Sequence, residues 1–105
     1  MLIAVGIRSI LPGKEREWEE LWEKMHELAK GRPGFHWARL LKSTEHGGKY
    51  TLLAAWDTAH TWERYYELPE IQELTQQSFA LFKGAPIQEW HEIIHDIGLV
   101  EAETR

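Results

Sequence analysis

The run from Tyr50 to Pro69, YTLLAAWDTAHTWERYYELP, limits the possible folds most, because an apolar strand turns into a helix there within three residues. Tyr50, Leu52, Ala54 and Trp56 alternate onto one face, and Thr51, Leu53 and Ala55 onto the other. A strand that is largely apolar on both faces belongs inside a sheet rather than at its edge. Asp57 or Thr58 then supplies a side-chain oxygen for the free N–H groups of a helix start. That helix carries Trp62, Tyr65 and Tyr66, so the corner turns two indoles, Trp56 and Trp62, toward the space between sheet and helix. Proline cannot donate the bond a continuous helix needs but suits a first helical turn, so the helix breaks at Leu68-Pro69 and resumes from Glu70. On the second piece Ile71, Leu74, Thr75, Ser78, Phe79 and Phe82 form one stripe, with two hydroxyls on an otherwise apolar face.

The rest of the chain supplies neighbours for this corner. Leu2 to Ile10 alternates, with Ile3, Val5, Ile7 and Ser9 on a mainly apolar face, and is a first strand. Leu11-Pro12-Gly13-Lys14 is a turn. From Glu15 to Lys30, Trp18, Leu21, Trp22, Met25, Leu28 and Ala29 recur at helical spacing, and Gly31-Arg32-Pro33-Gly34 ends that helix. Phe35 to Lys42 is a second strand, with Phe35, Trp37, Arg39 and Leu41 opposite His36, Ala38 and Leu40. Ser43 to Lys49 is a hairpin connection, and Ile87 to Ile97 a last strand before a polar tail from about residue 99. The order predicts one α+β domain over residues 1–105. Its fold is a ferredoxin-like split βαβ arrangement, a four-stranded antiparallel sheet with the helices on one face. The other face, also apolar, needs a cover that a second copy can supply, so a homodimer is expected.

Composition excludes several roles. Seventeen acidic against twelve basic residues, a net charge of -5 and no Lys/Arg run argue against a nucleic-acid partner. The absence of cysteine removes disulfides, thiolate catalysis and cysteine-held metals, and makes a cytoplasmic location the expectation. The apolar start MLIAVGI is interrupted by Arg8 and is too short for a membrane span. Six tryptophans in 105 residues either fill a core or line a cavity for an aromatic ligand.

Taken together these features resemble the antibiotic biosynthesis monooxygenase superfamily of dimeric α/β barrels. The resemblance is carried by Pro12-Gly13-Lys14 before an acidic, aromatic helix, by Pro33-Gly34-Phe35 opening the second strand, and by Trp56-Asp57-Thr58 ending the third. The helix running through Trp62 to Pro69-Glu70 also fits. It implies a homodimer that acts without a cofactor on a hydrophobic aromatic molecule, in a pocket lined by Trp56, Trp62, Thr75, Ser78 and Phe79. Alternatives are a ligand-binding or stress-associated dimer without turnover, and a haem-degrading protein. Against the haem reading, Thr75 falls where that branch has its iron-binding histidine, and Gly6 where it has an asparagine. In the quinone-forming branch an asparagine precedes the strand-end tryptophan by four residues, and this chain has Leu52 there.

Other motifs compete. His91-Glu92-Ile93-Ile94-His95, with Glu101 beyond, matches a zinc-peptidase pattern, but that chemistry requires a helix. On a strand, at about 3.3 Å per residue, the two histidines stand roughly 13 Å apart. The fold needs a strand here, so no metal is expected. His60, at a helix N-terminus that disfavours its charged form, is the candidate base, with an exposed position as the plainer reading. Arg8 and Arg39 offer anchors for an anion, or else ion pairs at the sheet edge. Thr75 and Ser78 either bond a ligand or bond the carbonyls one turn back.

Overall fold

The strand Lys49–Trp56 lies inside the sheet, as its two apolar faces require. The computed structural model describes residues 1–98. In chain order the elements are β1 (Leu2–Ser9), α1 (Glu15–Glu27), β2 (Phe35–Lys42), β3 (Lys49–Trp56), α2 (Ala59–Tyr66), α3 (Pro69–Phe79) and β4 (Ile87–Glu92). The four strands form one antiparallel sheet in the order β2-β3-β1-β4, an α+β ferredoxin-like fold. The sheet register places Ala4 opposite Ala54, Gly6 opposite Leu52 and Arg8 opposite Tyr50. On the far side of β1, Trp90 stands opposite Ala4 and Gln88 opposite Gly6. These residues share the face that meets the helices. The tail beyond residue 98, and with it Glu101, lies outside the described residues.

Two boundaries and one register differ from the sequence reading. Regular helix α1 stops at Glu27 rather than Lys30, and β4 stops at Glu92 rather than Ile97, where its pairing with β1 runs out at Leu2. In β2 the register shifts between Phe35 and Trp37, so Phe35 faces Trp56 and Trp37 faces Ala55. This bulge overturns the simple alternation that set Phe35 beside Trp37. Phe35 now turns toward the helices, its ring 5.1 Å from that of Trp56. The extra residue, His36, reaches the next corner, its Nε2 2.5 Å from the Asp57 carboxylate.

The turn into α2 is locked locally. Thr58 is the N-cap: its hydroxyl accepts from the Thr61 N–H at 3.1 Å, while the Thr61 hydroxyl accepts from the Thr58 N–H at 3.2 Å. A cap of this kind contributes about 0.5–2 kcal/mol. With Thr58 in that role, Asp57 is left to meet His36. Pro69 occupies the first turn of α3, where its missing N–H costs nothing, and it divides α2 from α3.

Burial is split into two clusters. One gathers Trp56, Tyr65, Ile71, Ala4 and Ala54; the other gathers Trp18, Leu21, Tyr50, Ile10 and Leu81. In the first, the Trp56 and Tyr65 rings lie 5.1 Å apart; in the second, Trp18 and Tyr50 lie 4.7 Å apart. Fully burying a large apolar side chain contributes roughly 1.5–3 kcal/mol, so these rings carry much of the helix-to-sheet adhesion.

Gly34 ties these elements together. Its φ is +85°, its carbonyl accepts from the Asp57 N–H at 2.8 Å, and a β-carbon there would stand 2.6 Å from that of Thr61. Gly34→Ala should therefore lower unfolding stability by about 1–3 kcal/mol in urea denaturation. A loss within about 0.5 kcal/mol would show that the β2–α2 corner yields freely.

Candidate functional site

A cavity of about 340 Å³ opens between the two clusters, bounded by the sheet, α1, α2 and α3. Its origin is a difference in side-chain size along the sheet. Tyr50 and Trp56 stand at the two ends of β3, whereas the middle of the same face is built from Ala4, Gly6 and Ala54, with Leu52 the larger residue among them. The rings hold the helices off the sheet, and the small residues leave the space beneath them empty. Trp18, Trp22 and Met25 form the α1 wall, and Trp62, Tyr65 and Tyr66 the α2 wall. Trp62 is held on two sides, stacked on Tyr66 at 4.8 Å and 17° and meeting Trp90 of β4 edge-on at 5.7 Å. The shape suits a flat, mainly apolar molecule.

The polar groups on the wall are few. Arg8 donates through Nη1 to the Ile7 and Ile87 carbonyls, at 3.1 and 2.8 Å, and through Nη2 to Gln88 Oε1 at 2.9 Å. Burial pushes its pKa down, against the pull of nearby Tyr66, yet a guanidinium stays protonated. His26 stacks on Trp22 with ring centroids 4.2 Å apart, and its Nδ1 lies 2.9 Å from the Trp22 carbonyl oxygen. A carbonyl only accepts, so Nδ1 carries the proton and the neutral ring keeps its lone pair on Nε2. Burial lowers the His26 pKa, partly offset by that same bond, so the neutral form is favoured. Burial raises the Tyr65 pKa, and its hydroxyl donates to the Met25 carbonyl at 2.6 Å. Tyr65 therefore stays a neutral phenol.

Of the residues singled out from sequence, Trp62, Thr75, Ser78 and Phe79 come together on the cavity wall. Phe79 keeps about half its surface exposed (49%), which puts it at the mouth. The two hydroxyls differ. Ser78 is buried and donates within its own helix, to the Thr75 and Leu74 carbonyls at 2.8 and 3.2 Å. Among the described residues Thr75 bonds only the Met25 thioether, at 3.9 Å, a weak acceptor that a ligand would readily displace.

Trp56 and His60 lie elsewhere. Trp56 is 1% exposed, enclosed by Phe35 and Tyr65 beneath the corner rather than on the wall. His60 has 72% of its side chain exposed and lies 4.0 Å from Glu63, on the outer side of α2. Sequence reasoning missed His26. Its signal was its place one turn after Trp22, beside Met25 on the apolar stripe of α1.

The zinc-peptidase pattern is not on a helix. His91 and Glu92 belong to β4, opposite Ile3 and Leu2, so the helical juxtaposition of the two imidazoles does not form. Instead His91 Nε2 lies 3.0 Å from Glu89. Among the described residues no helix is long and apolar enough to cross a membrane.

Residues 1–77 match the family of antibiotic biosynthesis monooxygenases. No curated protein matches the sequence. Among solved structures, a Nitrosomonas europaea protein provisionally named an antibiotic biosynthesis monooxygenase superposes with a TM-score of 0.82 at 15% identity. The match covers 90% of this chain and all of that one. SnoaB, a cofactor-independent oxygenase from Streptomyces nogalater, superposes with a TM-score of 0.78 at 17% identity, covering 91% of this chain and 96% of its own. Rv0793 from Mycobacterium tuberculosis reaches 0.81 at 12% identity, covering 92% and 98%. At these identities the likeness is one of fold.

The buried imidazole makes stability depend on pH. With the folded pKa of His26 below its ordinary 6.5, the unfolded chain binds more protons in the window between the two values. Its contribution is complete above 6.5 and is lost as pH falls through that value toward the folded pKa. Between about pH 7.5 and 5.5, the melting temperature of His26→Gln should fall less than that of the wild type. Parallel curves would show that His26 protonates freely in the fold.

Proposed function

Because the chain belongs to the antibiotic biosynthesis monooxygenase family, we propose that it is a cofactor-free monooxygenase-like enzyme whose substrate is a flat aromatic molecule held in the central cavity. The observation that carries this reading is the cavity itself, about 340 Å³, walled by indole and phenol rings and open at Phe79. Oxidation without a cofactor needs a substrate that, once deprotonated, passes an electron to oxygen. The protein's part is to orient that substrate, exclude water and accept a proton. Trp22 and Trp62 would sandwich the rings. His26 Nε2 would take the proton, its Nδ1–H bond to the Trp22 carbonyl holding the tautomer and ring in place. In this assignment His26 takes the role first considered for His60. The α3 wall offers Thr75, Ser78 and Phe79, none of them a strong iron ligand, which weighs against the haem reading.

The same proposal includes a homodimer. The sheet face turned away from the helices carries Val5, Ile7 and Leu53, which are only half-buried, together with exposed Leu41 and Ile87. A second copy laid on this face would cover them. Light scattering should give twice the chain mass; a monomer at micromolar concentration would remove this part of the proposal.

The decisive experiment supplies the three-ring ketone anthrone, whose enolate transfers an electron to oxygen, and follows oxygen uptake. Uptake above the spontaneous rate is expected, reduced about 10²-fold in His26→Gln with little change in anthrone affinity. Trp62→Ala should weaken anthrone binding about tenfold. Tight anthrone binding without uptake would favour a ligand-binding dimer without turnover.

A further inference from the structure

The cavity wall is charged in one sense only. Acidic residues outnumber basic ones seventeen to twelve in the chain, yet among the described residues no Asp or Glu lines the cavity, while the permanent cation Arg8 does. Arg8 has three bonds, all to neutral oxygens, and no carboxylate lies within ion-pair distance of it among the described residues. A guanidinium has more N–H donors than these three bonds use, and the remainder meet no protein acceptor among the described residues. A partly buried cation without an anion is costly unless something completes it.

Gly6 supplies a second, independent observation. Glycine weakens a strand, and Gly6 is not among the positive-φ glycines, so its backbone demands no glycine. What the missing side chain provides is room: a β-carbon on Gly6 would stand 2.9 Å from Arg8 Nη1. The guanidinium folds back over Gly6, with the Phe82 ring centroid 5.7 Å from its Cζ on another side. Two residues of one strand thus lay a cation against the floor of the cavity, where a solvent-directed arginine would have needed no glycine.

We propose that the cavity is selective for aromatic acids, with the anionic oxygen of the ligand, a carboxylate or an ionised phenol or enol, accepting the open N–H donors of Arg8. This rests on the cavity being the substrate site and adds the chemical class of what enters it. The long-range field of a chain with net charge -5 opposes an anion, so the preference is local. It should persist at about 0.15 M salt, where charges beyond about 8 Å are screened.

The test uses three two-ring probes at that salt: 2-naphthoate, the acidic phenol 2,4-dinitro-1-naphthol ionised at neutral pH, and the uncharged isostere 2-naphthamide, each titrated by calorimetry into the full chain. At least one anion should bind about tenfold tighter than the amide, its identity naming the acid class, and Arg8→Gln should bring the two to parity. Should Arg8→Gln fail to fold, Gly6→Ala displaces the guanidinium without removing it and should reduce the same ratio. Equal binding of anions and amide would leave the aromatic cavity standing and overturn the acid preference. A preference that survives Arg8→Gln, with only melting temperature lowered, would make Arg8 a clip between β1 and β4 and overturn the proposal equally. Binding of none of the probes would overturn both this inference and the cavity reading beneath it.

Discussion

Two pairs of rings, Trp18 on Tyr50 and Trp56 on Tyr65, set the distance between helices and sheet. Protein interiors pack to near-crystalline density, so a gap survives only where its walls cannot collapse. Here the walls are propped at both ends. Between the props the sheet carries Ala4, Gly6 and Ala54 beside Leu52, so little bulk fills the middle of the floor. The cavity is thus a consequence of the core: the side chains that stabilise the fold also create the space. Pro69 divides α2 from α3, and both helices present side chains to the same cavity.

Desolvation decides what chemistry this space can support. It keeps Tyr65 a phenol and His26 an uncharged ring, while Arg8, whose intrinsic basicity is far higher, keeps its charge. A neutral base and a permanent cation therefore line one apolar cavity. The base has its tautomer set by a backbone carbonyl of its own helix, and the cation has its place set by a glycine two residues earlier in its own strand. The base is oriented within its own helix, whereas the cation is held in addition by Ile87 and Gln88 of β4, its neighbour in the same sheet.

Much of the fold was legible in the sequence because it rests on local rules. The alternation of β3, the Thr58 cap, the proline that divides α2 from α3 and the glycine-rich turns all act within a few residues, and each appears where its physics requires. The β2 bulge was not legible, since one residue inserted into a strand leaves no mark on composition, and only its pairing with β3 shows that Phe35 and Trp37 face opposite ways. The site was legible in part. The stripe on α3 and the position of Trp62 could be read from helical spacing, which puts residues on a face without saying what the face meets.

The roles of individual rings and charges were a matter of tertiary structure. By itself the sequence determined that a central apolar strand would end in an aromatic corner and that helices would cover one face. Which tryptophan serves the core and which the cavity depends on what surrounds it: Phe35 and Tyr65 enclose Trp56, whereas Trp62, held between Tyr66 and Trp90, lines the cavity. His60 and His26 show the same division. Each is a histidine on a helix, but the outer side of α2 leaves His60 in water, and the packing of α1 over the sheet buries His26 against Trp22. Periodicity assigns a residue to a face; only the fold decides whether that face meets solvent, packed side chains or a cavity, because that depends on the sizes of residues far away in the chain.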